Sequence, residues 1–104
     1  MRGLRLSFSA RKEQIWILIF FLDKCKSIVA EYTNEHLDKS DKKDISVADV
    51  FVVWYCKTLK NAKALLSTTL FDGMYYEITY NGEKEELYLD AYKKFENRCI
   101  KMEV

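Results

Sequence analysis

The chain has 104 residues, 49% of them hydrophobic and 32% charged, with a formal net charge of +1. That length and balance describe one ordinary globular domain with a real core, and they exclude an intrinsically disordered chain. The near-neutral total argues against non-specific attachment to nucleic acid or anionic membrane.

Residues 1–15 carry Arg2, Arg5, Arg11 and Lys12 and form a basic leader, expected to be disordered or absent from the native protein. Ile15 to Leu22 is an unbroken apolar run. It is far shorter than the ~18–20 residues needed to span a bilayer. Asp23, Lys24 and Lys26 follow at once and spoil the small, uncharged approach to a cleavage site that export requires. From about Phe20 the chain instead reads as an amphipathic helix. Leu18, Phe21/Leu22, Cys25, Ile28/Val29 and Tyr32 recur at three- and four-residue spacing, with Asp23, Lys24, Lys26, Glu31 and Glu35 on the other side. The helix is expected to end near Leu37.

"DKSDKKD", residues 38–44, is a solvated linker of three acids and three lysines, without the glycine or ligand spacing of a calcium loop. Ser46 and Asp49 stand at the spacing that caps one helical turn. "DVFVVWYCKT" is β-branched and aromatic on both faces, which predicts a central strand covered on both sides. A turn at "LKNA" leads to a second strand with Ala62, Ala64, Leu66 and Thr68 on one face. After Asp72-Gly73, "MYYEITY" alternates Met74, Tyr76, Ile78 and Tyr80 against Tyr75, Glu77 and Thr79. Asn81-Gly82 predicts a type I′ hairpin, "EELYLD" a fourth strand, and Ala91, Tyr92, Phe95 and Cys99 the face of a short C-terminal helix. The expected fold class is α+β: a long N-terminal amphipathic helix packed on a four-stranded antiparallel meander, then a short helix, all in a single domain over residues 16–104.

Little here points to chemistry. Cys25, Cys56 and Cys99 are odd in number and widely spaced, and read as three buried thiols of an intracellular protein that behave as small apolar residues, not as a disulfide framework or zinc site. His36 is the one histidine and suits the C-terminal end of the helix. No HExxH, phosphate-binding glycine loop or G-x-S-x-G is present. Glu83, Glu85 and Glu86 read as a solvated hairpin edge. The chain is therefore not expected to be an enzyme, and no metal or cofactor is expected.

Surface chemistry is more suggestive. Lys57, Lys60 and Lys63 crowd the first hairpin turn, residues 72–90 hold six acids and one lysine, and Lys93, Lys94, Arg98 and Lys101 make the last fourteen residues basic. Such a dipolar surface can orient a protein partner. Tyr75 faces away from Tyr76 and Tyr80, and an outward tyrosine anchors a protein interface or stacks on a base. The nearby glutamates favour protein over nucleic acid. The candidate interaction surface is Lys57, Lys60, Lys63, Tyr75, Glu85 and Glu86.

"VVWYCKTL", "NAKALLST", "DGMYYEITYNG" and "YLDAYKKFEN", all within residues 49–100, resemble a family of small uncharacterised proteins encoded mostly by phages and prophages of Firmicutes. The likeness runs back through the helix to about Phe21. It carries no known active site or cofactor. What it implies is a phage accessory protein in the cytoplasm of a bacterial host, binding a host or phage protein stoichiometrically in host takeover or anti-defence. The alternative is a nucleic-acid-binding regulator using sheet tyrosines and lysines. No membrane association is expected, and a homo-oligomer is open.

Family members generally begin just before the helix, and residues 1 to about 16 have no counterpart in the resemblance. Arg11-Lys12-Glu13 can be encoded by a purine-rich, ribosome-binding sequence, and a start at a Leu or Ile codon just beyond it would yield a shorter chain. The intact mass of the native protein is then expected to lack the leader; a mass that includes Met1 overturns this.

Overall fold

A computed structural model describes residues 8–37 and 44–103, with side chains from Trp16 onward. The elements in chain order are helix α1 (Phe8–His36), a 3-10 turn (Val47–Asp49), and strands β1 (Val50–Thr58), β2 (Asn61–Thr68), β3 (Met74–Asn81) and β4 (Glu86–Lys93). All strand pairings are antiparallel and sequential, in the order β1-β2-β3-β4. This is the expected α+β meander under one helix. The expectation for residues 1–7 and most of the 38–44 linker lies outside the described residues.

Alternation along β2 and β3 decides which face the helix covers. Ala62, Ala64, Leu66 and Thr68 from β2 and Tyr76 and Ile78 from β3 are buried, and their intervening neighbours are mostly less so. Against them α1 lays Cys25, Val29, Ala30 and Thr33, flanked by half-buried Phe21, Leu22, Ile28 and Tyr32. That is the stripe read from the sequence. Leu66, Ile78, Val29 and Cys25 have the largest fully buried side chains. Each apolar one of that size contributes about 1.5–3 kcal/mol.

The polar groups within this layer are partnered. Thr33 Oγ1 donates to the Tyr76 hydroxyl at 3.4 Å, and Tyr32 meets Tyr76 edge-on with centroids 5.6 Å apart. The chain beyond the linker is fastened to the helix by one side chain. Asn34 Nδ2 donates to the Ile45 carbonyl at 2.9 Å while Ile45 N–H donates to Asn34 Oδ1 at 2.8 Å. Ser46 N–H donates to Asp49 Oδ2 at 2.8 Å, as the S-x-x-D spacing predicts, and starts the 3-10 turn that feeds β1.

The structure departs from expectation at four places. The helix begins well before Phe20, and Trp16, Ile17, Ile19 and Phe20 on it remain exposed. β1 is an edge strand, not a central one: its outer edge is unpaired, and Phe51, Val53, Trp54 and Tyr55 are about half exposed. A β-bulge between Val52 and Trp54 inserts Val53 and interrupts its pattern, a common feature of edges. The C-terminal helix does not form. Leu87, Leu89 and Ala91 alternate with Tyr88, Asp90 and Tyr92, so β4 continues past Asp90, pairing Ala91 with Tyr76 and Tyr92 with Tyr75. The residues left beyond Lys93 then have no surface to pack on, and so short a helix is unstable alone.

Asn81-Gly82, finally, is not a two-residue type I′ turn. Asn81 stays in the ladder opposite Glu86, residues 82–85 form the loop, and Glu85 takes the left-handed position at φ 53°. Asn81 Oδ1 accepts from the N–H groups of Glu83 and Lys84 and sets this wider turn. Gly82 is demanded by proximity instead: a Cβ there would lie 2.0 Å from the Lys60 carbonyl oxygen, in the neighbouring β1–β2 turn.

Two measurements check this packing. Gly82→Ala must push the two turns apart, and a loss of more than about 2 kcal/mol is expected in chemical denaturation. Burial pushes the Cys25 thiol up to about 12, whereas Cys56 and Cys99, expected to be buried, are exposed as a consequence of the open face of β1 and the unformed C-terminal helix. Two thiols per chain are therefore expected to react with an alkylating reagent in the native state, and the third only on unfolding. Because the folded pKa of Cys25 lies above its ordinary value of 9.0, the stability linked to this thiol is complete below that pH. It is lost as pH rises toward about 12.

Candidate interaction surfaces

Two surfaces remain after the helix has covered its side of the sheet. The first lies where the N-terminal part of α1 overhangs the turn end of the sheet. Leu18 and Phe21 from the helix, Ala62 from β2, Tyr80 from β3 and Leu87 from β4 line an open groove of about 440 Å³. The rings of Phe21 and Tyr80 sit 6.4 Å apart across it. Ile17 and Phe20 lengthen the apolar wall toward solvent, 55% and 71% exposed. The groove exists because the helix runs on past the sheet while the β1–β2 and β3–β4 turns close against each other through Gly82 and Asn61, whose Oδ1 accepts from Gly82 N–H at 3.2 Å.

Cations ring this groove. Lys24 comes from the helix, Lys57 from β1 and Lys60 from the following turn, and among the described residues no carboxylate lines it. Lys57 Nζ donates to the Leu59 carbonyl at 2.9 Å, which holds its charge over the turn. Apolar walls with a positive rim suit an apolar side chain flanked by acidic ones.

The second surface is the far face of the sheet. The register places Phe51 and Trp54 on it, opposite Ser67 and Leu65, together with Tyr75 opposite Tyr92, and Tyr88 opposite Thr79. Among the described residues no element covers this face. Lys63 and Glu77 form an ion pair across its middle at 3.4 Å, and Asp90 sits beside them opposite Glu77. The face is thus aromatic and slightly acidic.

The six residues singled out from sequence do not form one site. Lys57 and Lys60 belong to the groove, while Lys63, one face over, is tied to Glu77. Tyr75 lies on the far face, half-buried. Glu85 occupies the left-handed loop position, and Glu86 opens β4, accepting from the Tyr88 hydroxyl and so raising the Tyr88 pKa. The third groove cation, Lys24, was not singled out, because helical periodicity alone assigns it to solvent. Phe51 and Trp54 were assigned to a doubly covered strand, and only the strand order reveals them as open.

No group of three or more His, Cys, Asp or Glu side chains able to hold a metal occurs among the described residues. His36, the last helical residue, stacks on Tyr32 with centroids 4.1 Å apart and its Nδ1 lies 2.8 Å from the Tyr32 carbonyl, as a capping residue would. No helix among the described residues is long and apolar enough to cross a membrane.

No curated protein and no solved structure matches the chain. A match does come from a family profile that spans the lower half of α1, the whole sheet and nearly all of the C-terminal segment. Over residues 22–102 the chain fits the family of unknown function DUF6275, and it belongs to that family.

Proposed function

We propose that this chain is a non-catalytic protein-binding module that takes an acidic, partly apolar segment of its partner into the groove between α1 and the hairpin turns. The observation that carries this reading is the conjunction of an apolar wall with Lys24, Lys57 and Lys60 and, among the described residues, no lining carboxylate. Isolated surface lysines are ordinary; three that converge on exposed Ile17 and Phe20 are not solvated by default.

Resemblance to phage- and prophage-encoded proteins of Firmicutes suggests the setting. In that setting the module acts stoichiometrically in the bacterial cytoplasm on a host protein, as a takeover or anti-defence inhibitor. A nucleic-acid regulator is the weaker reading, because the tyrosine-bearing face holds Glu77 and Asp90 against the single Lys63, which is itself paired. A base-stacking sheet needs a positive surround.

The groove and the far face carry different lysines, so substitution separates them. With tagged protein in host cells, one partner is expected at near-equal stoichiometry. Lys57→Glu with Lys60→Glu should weaken its capture at least tenfold, and Lys63→Glu should change it little. Equal loss from both, or a mobility shift of DNA or RNA that falls steeply with salt, contradicts the proposal.

A further inference from the structure

Residues beyond β4 behave unlike any other part of the chain. Lys94 N–H donates to the Gly73 carbonyl at 2.7 Å, and from Phe95 to Glu103 no helix or strand forms and every residue is exposed. Yet the segment is not polar. Phe95 is 101% exposed, Ile100 75% and Met102 85%. Phe71, 108% exposed, stands in the turn just before Gly73, so two bare phenylalanines share one corner of the molecule.

The same chain carries a surface of complementary character. The far face presents half-exposed Phe51, Trp54, Tyr88 and Tyr92. Beyond the Lys63–Glu77 pair its charges are Asp90 and Glu86, and the neighbouring loop adds Glu83 and Glu85 against Lys84. The terminal segment brings Lys94, Arg98 and Lys101 against Glu96 and Glu103, with Arg98 and Glu96 already paired at 3.2 Å. Within residues 95–103 Arg98 and Lys101 balance Glu96 and Glu103, so an apolar arm of zero net charge faces an aromatic sheet whose surplus charge is negative.

We infer that residues 95–103 are an arm that lies across the far sheet face of a second copy of this chain, in a reciprocal dimer. Arm and face occur once each per chain, so a two-fold exchange satisfies both and leaves no free end to propagate. The reach is sufficient: an extended arm of this length covers about 30 Å, and four strands spaced about 4.8 Å apart are narrower than that. The area is also sufficient. At about 150–250 Å² per ring, Phe95 and the exposed halves of Phe51, Trp54, Tyr88 and Tyr92 offer about 450–750 Å². Exposed Ile100 and Met102 bring the total to the ~800 Å² that each partner of a stable complex buries. The α1 groove lies on the other side of the sheet and stays free in this dimer.

Light scattering of the full chain is expected to give twice 12.4 kDa. Phe95→Asp with Ile100→Asp should give the monomer mass with an unchanged far-ultraviolet spectrum, since neither side chain packs in the monomer. A monomeric wild-type chain, or a double variant that stays dimeric, overturns the inference. Thiols supply a second readout that needs no disruptive substitution. Cys99 is on the arm, Cys56 on the far face opposite Lys63, and both are exposed. Mild oxidation with diamide is expected to join Cys56 to Cys99 between chains in mixed labelled and unlabelled protein. A Cys56–Cys99 link confined to single chains would mean that the arm folds back on its own sheet, and would overturn the exchange.

Discussion

Everything in this molecule hangs on one contact, the seam where Cys25 and Val29 of the helix meet Leu66 and Ile78 of the sheet. With a single helix, only one face of the sheet can be dried. The layer is thin, and its fully buried side chains are few. Small two-layer domains are marginal for this reason, since a modest core must offset the ordering of the whole chain. The consequence is an asymmetry: one sheet face is finished, and the other is as aromatic as a core but is covered by no element among the described residues.

The same economy explains the groove. A helix longer than the sheet it covers must project beyond it, and the residues on the projecting turns keep the composition of the buried stripe. Ile17, Leu18 and Phe20 continue the apolar wall past the point where the strands stop, and the turns below supply lysines. Apolar side chains that outrun their partner surface are costly in a free monomer and useful in a complex. The core is therefore conventional, and its overhangs are where binding is to be sought.

Patterns of period 3.6 and period 2 were legible wherever one face of an element is dry and the other wet. The α1 stripe, β2 and β3 all have that property, and so does the Ser46–Asp49 cap, which is local. β1 was misread because Phe51, Val53 and Trp54 look like core whether a second layer covers them or not; composition reports appetite for burial, not its satisfaction. The end of β4 was misread because Ala91 and Tyr92 fit either period, and the ladder with Tyr75 and Tyr76 decided between them. The groove was half legible. Lys57 and Lys60 are near in sequence, but Lys24 joins them only through the tertiary fold, and Lys63 leaves them because neighbouring strand positions face opposite ways. Long-range juxtaposition is the part that periodicity does not encode.

One polar contact has an evolutionary reading. The reciprocal pair between the Asn34 side chain and the Ile45 backbone clamps the two ends of the helix-to-sheet connection. With both ends held, lengthening the segment between them costs only a logarithmic increment of closure entropy. Added codons in that connection are therefore expected to cost little, and a peptide fused there leaves the groove and the far sheet face as they are.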